Sequence, residues 1–334
     1  MSFHLDHMTR YFFRASCVNR HHRLNHDGIA LLMVLWILAI LSVIALTFSY
    51  MARTETISTI SFKENLEEKF LAEAGIERGI AELFYRTHYR DQQIEFEGTE
   101  AWKTDGTPYV SQLGNGFYTV SIVDDSGKVD INEASDVLLR NLFLNAGVEA
   151  GETEIIVDSI LDWRDQDDLH RLNGAENGYY QSLPNPYQAK NGNFDTVEEL
   201  ILVRGMTYEI LYGDGKKKGI FDLLTVHAET DTININSAPR EVLMTIPGMT
   251  PEIADQLISI RETREISGID AIPGVPPETL ASMEPYISTD ESEAFTLFTV
   301  GKKTKAKGGY AIKATVILSG IDEITYAYYK SPAF

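Results

Sequence analysis

Residues 26–48 read HDGIALLMVLWILAILSVIALTF, and from Ile29 to Phe48 they hold 20 residues without a charge. At about 1.5 Å per residue, such a helix spans the ~30 Å hydrocarbon layer of a bilayer. A removable secretory signal has a shorter apolar core, roughly 7 to 15 residues, followed by a small-residue cleavage site. Here the chain runs on through SYMARTETISTISFKENLEEKFLAEAGIERGIAELFYR with no proline and with glycine only at Gly75 and Gly79. Phe62, Leu66, Phe70 and Ala74 recur at i+4, and Ile76, Ile80, Leu83 and Phe84 continue a helical spacing. The pattern predicts one helix from about Ile29 to Tyr85, its first half in lipid and its second half packed on a soluble domain. Arg10, Arg14, Arg20 and Arg23 precede the run, so the positive-inside tendency leaves residues 1–28 in the cytoplasm and the bulk outside. An ordinary single-pass anchor that is never processed fits the same features.

The formal charge of −20 and the 44% hydrophobic share describe a folded, acidic protein. That sign disfavours nucleic acid, whose binders need a basic face to displace counterions, and is compatible with divalent cations. The single cysteine, Cys17, lies before the apolar run, which excludes an intrachain disulfide and a cysteine-based zinc site. Beyond the leader only His88, His170 and His227 remain, too far apart in sequence for a local metal motif.

After the helix, GNGFYTVSIVDDSGKVDIN reads as strand, turn, strand. Phe295 to Val300, Tyr310 to Leu318 and Ile324 to Tyr329 are rich in β-branched and aromatic residues and read as three more strands. The intervening GKKTKAKGG reads as a solvated hairpin loop. Between the two strand regions, residues 131–288 are helix-like with short turns, so a helical insertion is expected to interrupt a small sheet. It carries a weak repeat: DINEASDVLLRNLFLNAGV from Asp130 and NINSAPREVLMTIPGMTPEIADQLISIRE from Asn234 share Ile-Asn-x-Ala and an apolar turn with glycine. FDTVEELILVRGMTYEIL from Phe194 has the same helix, glycine turn, helix form, with an Asn, Thr or Asp as the expected cap. The Asn234 segment is similar to a helix-hairpin-helix, which binds DNA when its hairpin amides meet phosphate. Its turn, Pro247 to Thr250, lacks the second glycine, and Glu241, Glu252 and Asp255 surround it, so a packing role is the expectation.

The sharpest chemical feature is DWRDQDDLHRLNGAENGYY. Asp162, Asp165, Asp167 and Asp168, then Glu176 and Asn177, form a dense set of hard oxygen donors, which suits Ca²⁺ better than Mg²⁺. No EF-hand spacing is present, and a solvated acidic turn is the alternative. Trp163, Tyr179 and Tyr180 beside the cluster imply an ordered loop in which unpaired carboxylates would repel. Two carboxylates could hydrolyse a glycoside, but no cleft signature and no Ser-His-Asp or Cys-His set is present, so no enzyme is expected.

The apolar segment resembles a type IV prepilin, in which a membrane peptidase cuts after the glycine of a basic leader and the next residue becomes an N-methylated start. Gly28 and Ile29 match those roles. Most prepilins carry Glu at the fifth mature position, here Met33. A carboxylate at that depth is costly without a positive partner such as a neighbour's N-terminal amine. A subunit with Met there needs no neighbour ahead of it and can begin a stack. With this departure, and with DWRDQD, GAENGYY, FDTVEELILVRGMT and ININSAPREVLMTIPGMTPEIA in that order, most of the chain resembles the K-type minor pseudopilin of the type II secretion system.

That resemblance implies an α+β fold, a long N-terminal helix on a small antiparallel sheet interrupted by an inserted α-helical domain with helix-hairpin-helix-like units. It divides the chain into a leader (1–28), a transmembrane half-helix (29–48), the rest of the helix with the first strands (49–130), the insertion (131–288) and the last strands (289–334). It implies Ca²⁺ at Asp162, Asp165, Asp167 and Glu176, with Asn177 and Asp168 as further ligands. The implied place is the inner membrane, N-terminus cytoplasmic and bulk periplasmic, then the pseudopilus tip. The implied partners are the I-type and J-type minor pseudopilins, the prepilin peptidase and the inner-membrane secretion platform, without nucleic acid. A minor pilin of a type IV pilus and a membrane-tethered DNA receptor remain as rivals.

Overall fold

One helix of 63 residues, α1 (Asp27–Tyr89), opens the structure. The computed structural model describes residues 27–89, 102–268, 272, 274–303, 308–320 and 323–333, so the expected leader lies outside the described residues except for its last two. By length and composition α1 is able to cross a membrane. The Thr47 hydroxyl donates to the Val43 carbonyl at 2.8 Å, so this polar side chain is satisfied within the helix, as hydrocarbon requires. The chain divides between Phe62 and Lys63 into the apolar part of α1 and everything after it.

Beyond α1 come β1 (Tyr109–Leu113), β2 (Gly116–Asp124), β3 (Val129–Asp130), α2 (Asp136–Asn145), α3 (Ala150–Arg164), α4 (Asn177–Tyr180) and α5 (Tyr208–Tyr212). Then follow β4 (Leu224–Thr225), β5 (Ile233–Asn234), α6 (Arg240–Leu243), α7 (Pro251–Thr263), α8 (Pro277–Met283) and β6 (Ile287–Ser288). The last elements are β7 (Ala294–Lys302), β8 (Tyr310–Ser319) and β9 (Glu323–Lys330). Five strands form one antiparallel sheet in the order β1-β2-β7-β8-β9, so β2 and β7 are neighbours although residues 125–293 separate them. The two short pairs, β3 with β4 and β5 with β6, are parallel.

Apolar residues gather in two separate cores. In the first, Ala72, Ile76, Ile80 and Leu83 of α1 pack on Val120, Ile122, Leu297, Ile312 and Val316 of the sheet. The stripe differs in part from the one expected: Phe62, Leu66 and Phe70 are exposed, and Ile76, Ile80 and Leu83 are buried. The reason is how closely α1 approaches β7. A Cβ on Gly301 would stand 2.0 Å from the Glu68 carbonyl, and the Thr299 hydroxyl donates to the Ala72 carbonyl at 2.9 Å. Small residues at Ala72, Gly75 and Gly79 permit that approach, whereas a face of phenylalanines would hold the helix off.

The second core lies between β3 and α8, centred on Leu138, Leu142, Phe143, Ile156, Ile160, Leu200, Val242, Leu243 and Leu257. The expected strand, turn, strand over GNGFYTVSIVDDSGKVDIN is present as β2, a short turn and β3, but the two strands do not pair with each other. β2 pairs instead with β1 and β7. The DDSG turn is a buried 3-10 turn whose side chains reach distant parts of the chain, with Asp124 bound to Ser292 and Asn234. Its side chains being used there, the chain leaves the sheet and β3 pairs with β4.

The weak sequence repeat corresponds to two copies of one hydrogen-bonded unit. In the first, the Ile131 N–H donates to Thr225 at 2.9 Å, Asn132 clasps both backbone groups of Phe194, and Arg164 of α3 donates to the Ile131 and Ala134 carbonyls. In the second, the Ile235 N–H donates to Ser288 at 3.1 Å, Asn236 clasps both backbone groups of Ile266, and Arg261 of α7 donates to the Ile235 and Ala238 carbonyls. In each, an arginine of the first helix pairs with an acid of the second, Arg140 with Glu154 and Arg240 with Asp255. The turns use Gly147 at φ +86° and Gly248 at φ +82°, a region that side chains with a Cβ enter at a cost. The caps are Ser135, Thr207 and Thr250, each accepting from a backbone N–H in its helix's first turn.

The two copies differ in one instructive place. Asp130 accepts from the N–H groups of Asn132, Ala228 and Glu229 at 2.8 to 3.0 Å. Its counterpart Asn234 accepts from Asn236 but turns its amide nitrogen to Asp124 and to the Asp290 carbonyl, both at 3.0 Å. Three donors ask for a carboxylate, and two acceptors ask for an amide. Asp130→Asn is therefore expected to destabilise by about 1–3 kcal/mol, since one amide N–H must face a donor. Asn234→Asp, which sets a second carboxylate against buried Asp124, is expected to cost about 3–5 kcal/mol. Denaturant unfolding of the two variants measures both.

Candidate metal centre

α3 carries Ile156, Ile160 and Trp163 into the second core, which points its last turn, with Asp162, inward. The Asp162 side chain is fully buried. Asp165 follows the helix, the chain loops through 166–173, and Gly174–Glu176 returns beside α3. Behind this turn Trp163 meets Tyr180 edge-on at 5.2 Å between centroids and stacks on Phe194 at 6.2 Å. A Cβ on Gly174 would stand 1.9 Å from Asp162 Oδ2, so only glycine lets the returning strand pass. Asn173 anchors the return, donating from both its backbone N–H and its side-chain amide to Asp158 Oδ2 at 3.0 Å.

Asp162, Asp165 and Glu176 each offer one carboxylate oxygen within 4.8 Å of the others. Arg171 faces them from the loop: its Nη1 donates to Asp162 Oδ1 and to Asp165 Oδ2, both at 2.7 Å, and its backbone N–H donates to both Asp162 oxygens. Glu176 is 5% exposed, and neither of its oxygens has a hydrogen-bond partner, nor does Asp165 Oδ1. Burial first, then the charges of Asp162, Asp165, Asp168 and Asp167, push the Glu176 carboxyl up to about 7. Burial likewise raises Asp162, against the pull of Arg171. Three carboxylates, two of them with orphaned oxygens, facing a single guanidinium form an oxygen set that can accept a divalent cation.

The other expected ligands are engaged elsewhere. Asp167 accepts from the Leu169 N–H at 2.8 Å. Asp168 accepts from the amides of Asn177 and Asn191 at 2.7 and 3.2 Å, and the Asn177 carbonyl oxygen accepts from the Ala189 N–H. These three residues clasp the loop to residues 189–191. Arg171, Gly174 and Asn191 carry no sequence pattern that marks them as part of such a centre; a basic residue inside DDLHRLNG is the one visible signal. Gly28 and Ile29 lie in the first turn of α1 and Met33 one turn later, with Ile29 and Met33 58% and 59% exposed.

Residues 119–212 match the family model described as type II secretion system (T2SS), protein K. A relative from Escherichia coli (strain K12) named for that component is 26% identical over 195 residues, covering 55% of this chain and 59% of its own. Type II secretion system protein K of Pectobacterium carotovorum subsp. carotovorum is 27% identical, covering 56% of this chain and 61% of its own. The matched region thus spans about three-fifths of the length of these two relatives. Type II secretion system protein K of Klebsiella pneumoniae is 25% identical over 298 residues, 83% of this chain and 89% of its own. The fold is similar to a chain in the crystal structure of the GspK-GspI-GspJ complex from enterotoxigenic Escherichia coli, with a TM-score of 0.53 and 17% identity over 83% of this chain and 99% of that one.

The raised Glu176 carboxyl has a pH signature. Its contribution to stability is full below the ordinary value near 4.5 and is lost as pH rises through about 7. In chelator, the protein is expected to lose roughly 1–3 kcal/mol between those limits. Glu176→Gln is expected to flatten that window, which denaturant melts at stepped pH would read. Gly174→Ala is expected to unfold the turn at a cost of about 2–4 kcal/mol, measured the same way.

Proposed function

We propose that this chain, a member of the type II secretion system protein K family, is a minor pseudopilin that starts or caps the pseudopilus from its tip. The observation that carries the reading is the protein K match over residues 119–212 in a chain whose α1 carries Gly28 and Ile29 in its first turn, followed by an uncharged segment. In this reading prepilin peptidase removes the leader after Gly28, and Ile29 becomes the mature start in the inner membrane. Met33 brings no carboxylate into the bilayer, so the subunit asks for no amine ahead of it and takes the first place in a stack. Its role is assembly, with no catalytic step.

Residues 131–288 act as an inserted α-domain. Two observations support this: its core is separate from that of the sheet, and its flanking strands β2 and β7 are direct neighbours. Its paired units serve packing. The turn at Gly248 lies against α8, where a Cβ would stand 2.5 Å from Ser282 Oγ, which disfavours the DNA-receptor reading. The bulk of the domain suits a tip better than a filament interior, and the protein K match favours secretion over a type IV pilus.

A calcium ion fits the centre formed by Asp162, Asp165 and Glu176, on the strength of the orphaned Glu176 and Asp165 oxygens. Bound there, it would supply positive charge to carboxylates that otherwise repel. Asp167, Asp168 and Asn177 would brace the loop around it.

The test is co-purification of the full chain with the I-type and J-type minor pseudopilins. A stable ternary complex and a mature N-terminus at methylated Ile29 are the expected results. An intact Met1, or a chain that ignores both partners, would refute the assignment. Met33→Glu is expected to leave processing intact and to lower secretion, read as cargo retained in the periplasm.

A further inference from the structure

We propose that Arg171 is the centre's resident counter-cation: a divalent ion enters by displacing its guanidinium from Asp162 and Asp165, so this arginine sets how tightly the ion is held. The inference rests on the calcium reading above and concerns what this chain itself places in competition with the ion.

The count of oxygens carries it. Asp162 Oδ1 accepts from Arg171 Nη1 at 2.7 Å, and both its oxygens accept from the Arg171 backbone N–H at 3.1 and 3.2 Å. Asp165 Oδ2 accepts from the same Nη1 at 2.7 Å. The carboxylate oxygens left without a partner are Asp165 Oδ1 and the two of Glu176. Calcium takes about six to eight oxygens, from carboxylates, carbonyls and water, and the third carboxylate of the converging group, Asp162, is the one whose oxygens Arg171 now holds. A single nitrogen bridging two carboxylates also forgoes the two-pronged geometry in which a guanidinium binds best.

Position makes the exchange feasible. The Arg171 side chain is 40% exposed whereas Asp162 is fully buried, so the arginine sits at the mouth and can swing to water without crossing the core. The loop that carries it packs little, with Leu169 and Leu172 largely exposed beside it. Arg171 leaves Glu176 untouched. One positive charge against three carboxylates therefore stabilises the ion-free turn without completing the site.

The test is calorimetric titration of CaCl2 into the chelator-stripped full chain in detergent, with melting in chelator and in saturating Ca²⁺. Arg171→Gln is expected to bind Ca²⁺ about tenfold more tightly than the native chain. It should melt lower in chelator and equally in calcium. Arg171→Lys, which keeps the charge but loses the bridge, should fall between, and it decides the question if Arg171→Gln does not fold without the ion. Unchanged or weaker binding by these variants, with binding abolished by Glu176→Gln, overturns the role of Arg171 and leaves the calcium reading standing. Absence of heat and of any melting shift in the native chain and in every variant overturns both.

Discussion

The carboxylate of Asp124 is the constraint on which the arrangement depends. It is fully buried at the end of β2 and accepts from the Ser126 N–H and hydroxyl, the Ser292 N–H and hydroxyl and the Asn234 amide, at 2.7 to 3.2 Å. Those donors come from the chain just leaving the sheet, from the chain about to return to it, and from the second repeat unit. Burial raises the carboxyl, while the Ser292 and Ser126 bonds oppose it. A desolvated carboxylate is tolerated only when its lone pairs are met. The geometry that meets them holds together the two ends of the segment between β2 and β7.

A second polar knot lies next to the first. Asp125 accepts from Lys128, Thr225 and Thr296, joining the 3-10 turn to β4 and β7. Together the two aspartates make what reads as an ordinary turn between strands into the junction between two apolar cores. With the junction fixed, the two repeat units follow as one solution used twice, each arginine of the second helix closing the carbonyls of the Ile-Asn-x-Ala turn. The variation at Asp130 and Asn234 shows the chemistry at work, because the residue type follows the donors or acceptors opposite.

The acidic centre grows from the first unit. Arg164 docks the end of α3 on the turn, and that docking places Asp162 inside and Asp165 at the rim. Among the described residues the corresponding end of α7, at Thr263, carries no such group of carboxylates. The unit that carries the centre falls within the span matched to the protein K family, residues 119–212.

The sequence alone located α1 as one continuous helix through residues 29–85, because an uncharged run and an unbroken helical period are local properties. It located the three last strands to within one or two residues and showed the repeat and the acidic stretch for the same reason. Tertiary structure decided which face of α1 is buried, since Gly301 and Thr299 of a distant strand set how close the helix can come. It decided that the DDSG turn leaves the sheet, since Ser292 and Asn234 lie about 170 and 110 residues away from it in the chain. It also sorted six candidate oxygen donors into three that converge and three that brace the loop, and brought Arg171 among them. Side-chain direction at the end of a helix depends on what the helix packs against, and no spacing within DWRDQDDLHRLNGAENGYY encodes that.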